Sequence, residues 1–166
     1  MGFNRELELS EEIFLFFLLS TLDERTAIQS SQKVIAFLKT KHQTPRPDED
    51  EIIRTQALQK SLEIWNVYAK QILGQRQKSV VNKNDKDSPA MNWSKQIQNL
   101  DPQIVAVWNR FTRQARPEEM IALLATRILK FSEKELSESL KVSIGTTRFR
   151  LARAAKQLGV CFESQP

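Results

Sequence analysis

Residues 141–156 hold five cations, Lys141, Arg148, Arg150, Arg153 and Lys156, and no carboxylate. Cations set this densely, with no acid between them, can neutralise a phosphate backbone and release its counterions. At about 100° per residue of helix, Gly145, Thr146, Phe149, Ala152, Arg153 and Lys156 share one face, with Arg148 and Arg150 on its flanks. Flanking cations suit phosphates, and the central face suits base edges. The candidate DNA-contacting residues are therefore Lys141, Thr146, Arg148, Phe149, Arg150, Arg153 and Lys156. A solvated basic helix on a small domain would carry the same charge; salt-dependent binding to duplex DNA separates the two.

Two short helices must position that face. Ser132 and Glu135 form a capping box, and Leu136 and Leu140 follow on one helical face. Lys141 and Val142 leave room only for a tight turn before Ser143, a good N-cap. In the second helix Thr147, Leu151, Ala154 and Leu158 recur at i, i+4, i+7 and i+11, a buried stripe. Thr147 brings a hydroxyl into that stripe, and the carbonyl four residues back is its expected partner. Such a pair is a helix-turn-helix unit, whose second helix fits the major groove. Upstream, Asp101 and Pro102 start a helix to about residue 114 with the stripe Ile104, Val107, Trp108 and Phe111. Pro117, Glu118 and Glu119 start another, with Arg127 and Lys130 favourable at its C-terminal end. Its Met120, Leu123, Leu124 and Ile128 are expected to pack on the helix-turn-helix.

The run Val142-Ser143-Ile144-Gly145-Thr146-Thr147-Arg148-Phe149-Arg150-Leu151-Ala152-Arg153-Ala154 resembles region 4 of bacterial sigma factors of the extracytoplasmic-function type, which reads I-S-V-G-T-V-K-S-R-L-x-R-A. The resemblance implies recognition of the −35 promoter element. Thr147 stands where the family buries a Val, and Phe149 replaces a small polar residue. Two environments suit the Phe149 ring: a thymine methyl in the groove, or the N-terminal module folded back over the reading helix. The closing Lys156-Gln157-Leu158-Gly159-Val160 is similar to the end of LuxR-type helix-turn-helix domains, a competing match.

Ser10 is read as the start of the first helix, with Glu11 and Glu12 at its positive end. Residues 13–19 are apolar throughout, which fits a core helix better than a docking surface. Thr21 and Glu24 form a second capping box for a helix to about residue 39. Asp23, Ala27, Gln32 and Val34 are similar to the region 2 helix D-x-x-D-A-E-D-L-V-Q-E-V-F-L, which in the family binds the clamp of core RNA polymerase. The resemblance makes Gln32, Ile35 and Lys39 candidate polymerase contacts, although Thr26, Ile28 and Gln29 replace acidic members of the motif. A proline-bearing loop then leads to Asp48, Glu49, Asp50 and Glu51. In the family this neighbourhood captures melted −10 DNA, whereas four carboxylates repel a phosphate backbone. The helix from about residue 51 ends at Gly74 and carries the stripe Leu58, Leu62, Trp65, Ala69 and Ile72. Its end, from Trp65 to Ile72, loosely resembles the family's W-L-Y-R-I-A-R-N. Residues 75–92 read as a polar linker, and Trp93, Ile97 and Leu100 suggest a short helix.

Charge divides along the chain: residues 1–70 hold 9 basic and 11 acidic groups, and residues 101–166 hold 11 and 7. One cysteine, Cys161, and one histidine, His42, leave no disulfide and no zinc set. No metal, cofactor, nucleophile–base pair or phosphate loop is expected, so the chain reads as a binder and not an enzyme. The apolar run of residues 13–19 is far short of the ~20 residues of a membrane span, and with no export signal a cytoplasmic protein is expected.

These readings combine into an all-α protein of two small helical modules: residues 1–74 similar to sigma region 2, a linker over 75–92, and a helix-turn-helix module over 93–166. The function implied is sigma-factor-like transcription initiation, with promoter DNA, core RNA polymerase and an anti-sigma or other regulatory protein as partners. One alternative is a sigma-like DNA-binding regulator that does not melt promoters. Another is a protein that binds a partner through its apolar first helix.

Overall fold

Residues 2–41, 49–79 and 101–163 of the chain are described in a computed structural model, and their regular structure is entirely helical. The helices are α1 (Gly2–Thr21), α2 (Glu24–Lys41), α3 (Glu49–Ser79), α4 (Pro102–Gln114), α5 (Pro117–Arg127), α6 (Glu133–Leu140) and α7 (Ile144–Glu163). The all-α expectation holds. The loop at 42–48, residues 80–92 of the linker, and Trp93, Ile97 and Leu100 lie outside the described residues.

The apolar run of α1 is mostly core, with Leu15 left exposed. Ile13, Phe16, Phe17 and Leu18 are buried, and α1 packs against α2, α3 and α5. Each such side chain contributes ~1.5–3 kcal/mol by leaving water. Three boundaries differ from the sequence reading. Helix α1 begins at Gly2, so Ser10 is interior to it; serine in a helix interior costs only tenths of a kcal/mol, about 0.5 at most. Helix α2 is capped by Asp23 and not by Thr21: the Asp23 carboxylate accepts the Thr26 N–H at 2.9 Å and also the Thr26 hydroxyl. Thr21 instead donates its hydroxyl to the Phe17 carbonyl at 2.7 Å. Helix α3 continues through Gly74 to Ser79, so helical backbone runs into the stretch read as linker. Gly74 stops a helix only where the next turn adopts a left-handed cap.

The final carbonyls of α1 have no partner within the helix, and three later or adjoining groups satisfy them. The Leu22 N–H donates to Leu18 O at 2.9 Å, the Tyr68 hydroxyl of α3 to Thr21 O at 3.3 Å, and Trp108 Nε1 of α4 to Leu19 O at 3.1 Å. The last of these joins the two halves of the chain. A second junction lies at the turn after α5. There Arg54 of α3 donates from Nη2 to Leu129 O at 2.8 Å, and its guanidinium lies 5.9 Å from the Phe131 ring centre. Lys130, in a left-handed conformation with φ of 56°, places Nζ 2.7 Å from Glu12 Oε1. Glu12 and Lys130, both read from sequence as complements to helix dipoles, thus face each other across the junction. One apolar core runs through it, from Ile13 and Phe16 through Ile121 and Leu124 to Leu136 and Ala154.

The starts of the later helices follow the sequence. Asp101 caps α4, accepting the Gln103 N–H at 2.8 Å, with Pro102 in the first turn. Pro117 opens α5, and Ser132 with Glu135 makes a complete capping box for α6. Within α4, Val107 and Phe111 are buried and Trp108 packs on the core, but Ile104 is 48% exposed and leaves the expected stripe. Ile104 sits in the first turn of α4. Leu58, Leu62 and Trp65 of α3 are buried, and Ala69 packs on the core; the side chain of Ile72 lies outside the described residues.

Helix α7 runs through Gly159 to Glu163, past Leu158, the last residue of the stripe read from the sequence. Cys161 extends the buried stripe by one more turn. An added Cβ at Gly159 would meet nothing within 4 Å. Gly159→Ala is therefore expected to stabilise the fold by about 0.5–1 kcal/mol, through the conformational entropy that glycine loses in a helix. An unchanged or lower urea midpoint would contradict the helical assignment at this position.

Candidate nucleic-acid interface

The surface built by α6 and α7 follows from two faces of α7. Thr147 and Ala154 are buried, Leu151 and Leu158 pack on the core, and this face rests on α4, α5 and α6. The opposite face is open: Gly145, Phe149, Ala152, Arg153 and Lys156 are exposed, and Thr146 and Arg150 are half-buried. Ser143 caps the helix, accepting the Thr146 N–H at 3.0 Å, and its hydroxyl lies 2.9 Å from the Thr146 hydroxyl. Thr146 thus serves the helix start as well as facing outward.

The turn before α7 is compact. Lys141 takes a left-handed conformation, φ 54° and ψ 43°, and the Val142 N–H donates to Ser137 O at 3.0 Å. This closes the C-terminal carbonyls of α6 in the manner that usually employs glycine. The Lys141 residue is exposed at the corner between the two helices. The polymerase-contact candidates of the other half lie on one side of α2: Gln32 and Lys39 are exposed and Ile35 is half-buried, opposite the buried Val34.

Carboxylates meet two of the cations on α7. Arg148 Nε lies 2.7 Å from Glu133 Oε2, both partly exposed, a surface pair worth ~0–1 kcal/mol and easily given up. Arg153 is different. Its Nε lies 3.0 Å from Oε1 of Glu119, whose side chain is 4% exposed, and its guanidinium lies 5.6 Å from the Phe149 ring centre. Glu119 occupies the first turn of α5, where the helix dipole favours a negative charge. Its second oxygen, Oε2, has no hydrogen-bond partner among the described residues. A buried carboxylate in that position depends on its cation. Sequence reading placed Glu119 only as an acid at a helix start; the signal that it faces inward is its i, i+3 and i, i+4 spacing to Ala122, which is buried, and Leu123, which packs on the core.

Phe149 is 59% exposed, with the N-terminal half docked against α5 and the turn after it. Of the two environments open to the Phe149 ring, the cover by this half is not formed in this arrangement. The Thr147 hydroxyl, fully buried, has no hydrogen-bond partner among the described residues. The expected bond to the Ser143 carbonyl is not formed; that carbonyl accepts the Thr147 N–H instead, at 3.0 Å.

No protein-family model matches the chain, nor does any curated protein. Among solved structures, the fold is similar to that of the sigma factor RpoE from Bartonella quintana, determined as a co-crystal with the anti-sigma factor NepR. The TM-score is 0.61 at 15% sequence identity, with 99% of this chain and 98% of that chain covered. The protein therefore has a sigma-factor-like fold.

Two stability outcomes follow. Thr147→Val removes an unpaired buried hydroxyl at nearly constant shape and is expected to stabilise the fold by ~1–2 kcal/mol; destabilisation in urea would mean that the hydroxyl has a partner. Arg153→Ala strands the Glu119 carboxylate and is expected to cost ~2–4 kcal/mol. Adding Glu119→Leu to Arg153→Ala should recover part of that loss, and strictly additive losses would show the pair to be unimportant.

Proposed function

We propose that this protein is a sigma-factor-like transcription initiation protein that binds promoter DNA through α6 and α7. The observation that carries the reading is the outward face of α7. It is cationic, free of acids from residue 141 to 156, and held by two capped helices within a fold shared with a sigma factor over 99% of the chain. Under this reading α6, the turn at 141–143 and α7 are a helix-turn-helix, with α7 in the major groove. Arg148 and Arg150 face phosphates from the flanks, Lys141 does so from the corner of the turn, and Lys156 lies on the central face. Thr146, Phe149 and Arg153 face base edges.

Core RNA polymerase is the second partner, met through Gln32, Ile35 and Lys39 on the open side of α2. A regulatory protein is a third, because the neighbouring structure holds its sigma factor bound to an anti-sigma factor. A second reading, a regulator that binds DNA without melting it, is favoured by Glu49, Asp50 and Glu51 at the start of α3. Acids there oppose the capture of single-stranded DNA, which relies on cations and aromatic platforms.

Core polymerase pull-down with the full chain, followed by transcription from promoters enriched on it, separates the two readings. Retention on polymerase and new transcripts are expected; DNA binding with neither would favour the regulator. In titrations of duplex DNA at increasing salt, Lys141→Ala is expected to lower the logarithmic salt slope by ~1 and to weaken all sequences alike. A slope identical to that of the unaltered protein would remove Lys141 from the phosphate contacts.

A further inference from the structure

We infer that Glu119 and Phe149 act together on Arg153 as a specificity unit, fixing its guanidinium for a guanine edge while the Phe149 ring meets the methyl of a nearby thymine. The inference rests on the proposed reading that α7 enters the major groove of duplex DNA.

Arginine side chains are long, and an unrestrained one can serve any phosphate in reach. Arg153 is restrained from two sides. Below it, the 4%-exposed Glu119 carboxylate holds Nε at 3.0 Å, and beside it the Phe149 ring centre lies 5.6 Å from the guanidinium carbon. With Nε engaged, the four Nη hydrogens provide the planar fork for a ligand on the open side, where the side chain is 44% exposed. In the major groove the acceptor pair that fits such a fork is O6 and N7 of guanine. A phosphate would not require the fork to be oriented in advance.

Glu119 belongs to α5 and not to α7, so it acts through Arg153 and is a positioning residue. Its carboxylate also opposes loose association, because a negative charge beside the groove offsets part of the attraction of the neighbouring cations to phosphates. Phe149 adds the second preference. It is 59% exposed, and the one apolar feature on the major-groove floor is the thymine methyl. Phe149 and Arg153 stand i and i+4 on one helix face, about 6 Å apart at Cβ. At that spacing they meet base pairs one or two steps apart.

The test starts by selecting duplexes from a randomised library with the full chain. Enrichment of a guanine within two base pairs of a thymine is expected. In the enriched duplex, exchanging that dT for dU removes only the methyl and should weaken binding about fourfold. Exchanging the dG for 7-deaza-dG should weaken it about tenfold. Phe149→Ser should abolish the dU effect and reduce the 7-deaza effect without removing it, because Glu119 still holds Arg153, and Phe149→Leu should retain the dU effect. Glu119→Gln should lower the ratio of enriched to scrambled affinity about tenfold, while binding to scrambled duplex stays constant or rises. A purely structural role for Glu119 would lower both affinities together, and that outcome overturns the inference, as does a dU effect that persists in Phe149→Ser. If Glu119→Gln does not fold, the two Phe149 variants decide alone, because their site is exposed. Salt-dependent binding with no enrichment overturns the inference and leaves the DNA-binding reading standing. Absence of duplex binding at low salt defeats the reading itself.

Discussion

A helix that is apolar on nearly every side has to be covered on most of them, and α1 imposes that constraint on the whole chain. Its residues 13–19 cannot be satisfied by α2 and α3 alone. Helix α5 extends the cover, leaving Leu15 exposed, and with it the C-terminal half is drawn onto the N-terminal one. The polar groups at the seam follow from that docking. The carbonyls at the end of α1 need donors, and Tyr68 and Trp108 supply them from α3 and α4. At the other end of the seam Glu12 gathers Lys130 and Arg54, and Arg54 also reaches the Leu129 carbonyl. Burial of apolar surface thus brings the halves together, and hydrogen bonds with fixed geometry set their register.

Helix α5 is the hub of the arrangement. One side of it supports α1, the other supports α6 and α7, and its buried residues beyond the first turn (Ile121, Ala122, Leu124 and Ala125) are small or aliphatic. Its first turn carries Glu119 into the α7 interface. The Glu119–Arg153 pair therefore links the hub to the outward face of α7, with one end buried and the other open. Arg148 contrasts with it, because its partner Glu133 is surface-exposed and the pair can dissolve in favour of a phosphate. The cations of α7 are thus of two kinds, one exchangeable and one anchored. Under the proposed reading, that difference would let one helix supply both general attraction and a directed contact.

Local chemistry in the sequence was enough for much of this. Capping signals at Asp101, Ser132 and Ser143, the prolines at 102 and 117, and the stripe at Thr147, Leu151, Ala154 and Leu158 each describe a helix whose formation depends on its own residues. The division of α7 into a buried face and an open cationic face was legible for the same reason, since helical periodicity alone separates them. The resemblance of residues 142–154 to a sigma region agrees with the sigma-factor-like fold found across the chain. Signals that depend on competition between neighbours were less secure. Thr21 and Asp23 can both cap α2, and only the backbone at the end of α1, where Thr21 turns back to Phe17, leaves the role to Asp23.

What the sequence determined by itself was therefore the set of helices and the polarity of their faces, because caps and periodicity act within a few residues. The tertiary structure alone decided which charges meet. Glu12 with Lys130, Arg54 with the Leu129 carbonyl, and Glu119 with Arg153 join residues far apart in the chain, and no spacing rule relates them. It also decided that the Thr147 hydroxyl is buried with no partner among the described residues and that the Phe149 ring stays open. Both outcomes depend on how closely α5 and the N-terminal helices approach α7, a distance set by packing across the whole core.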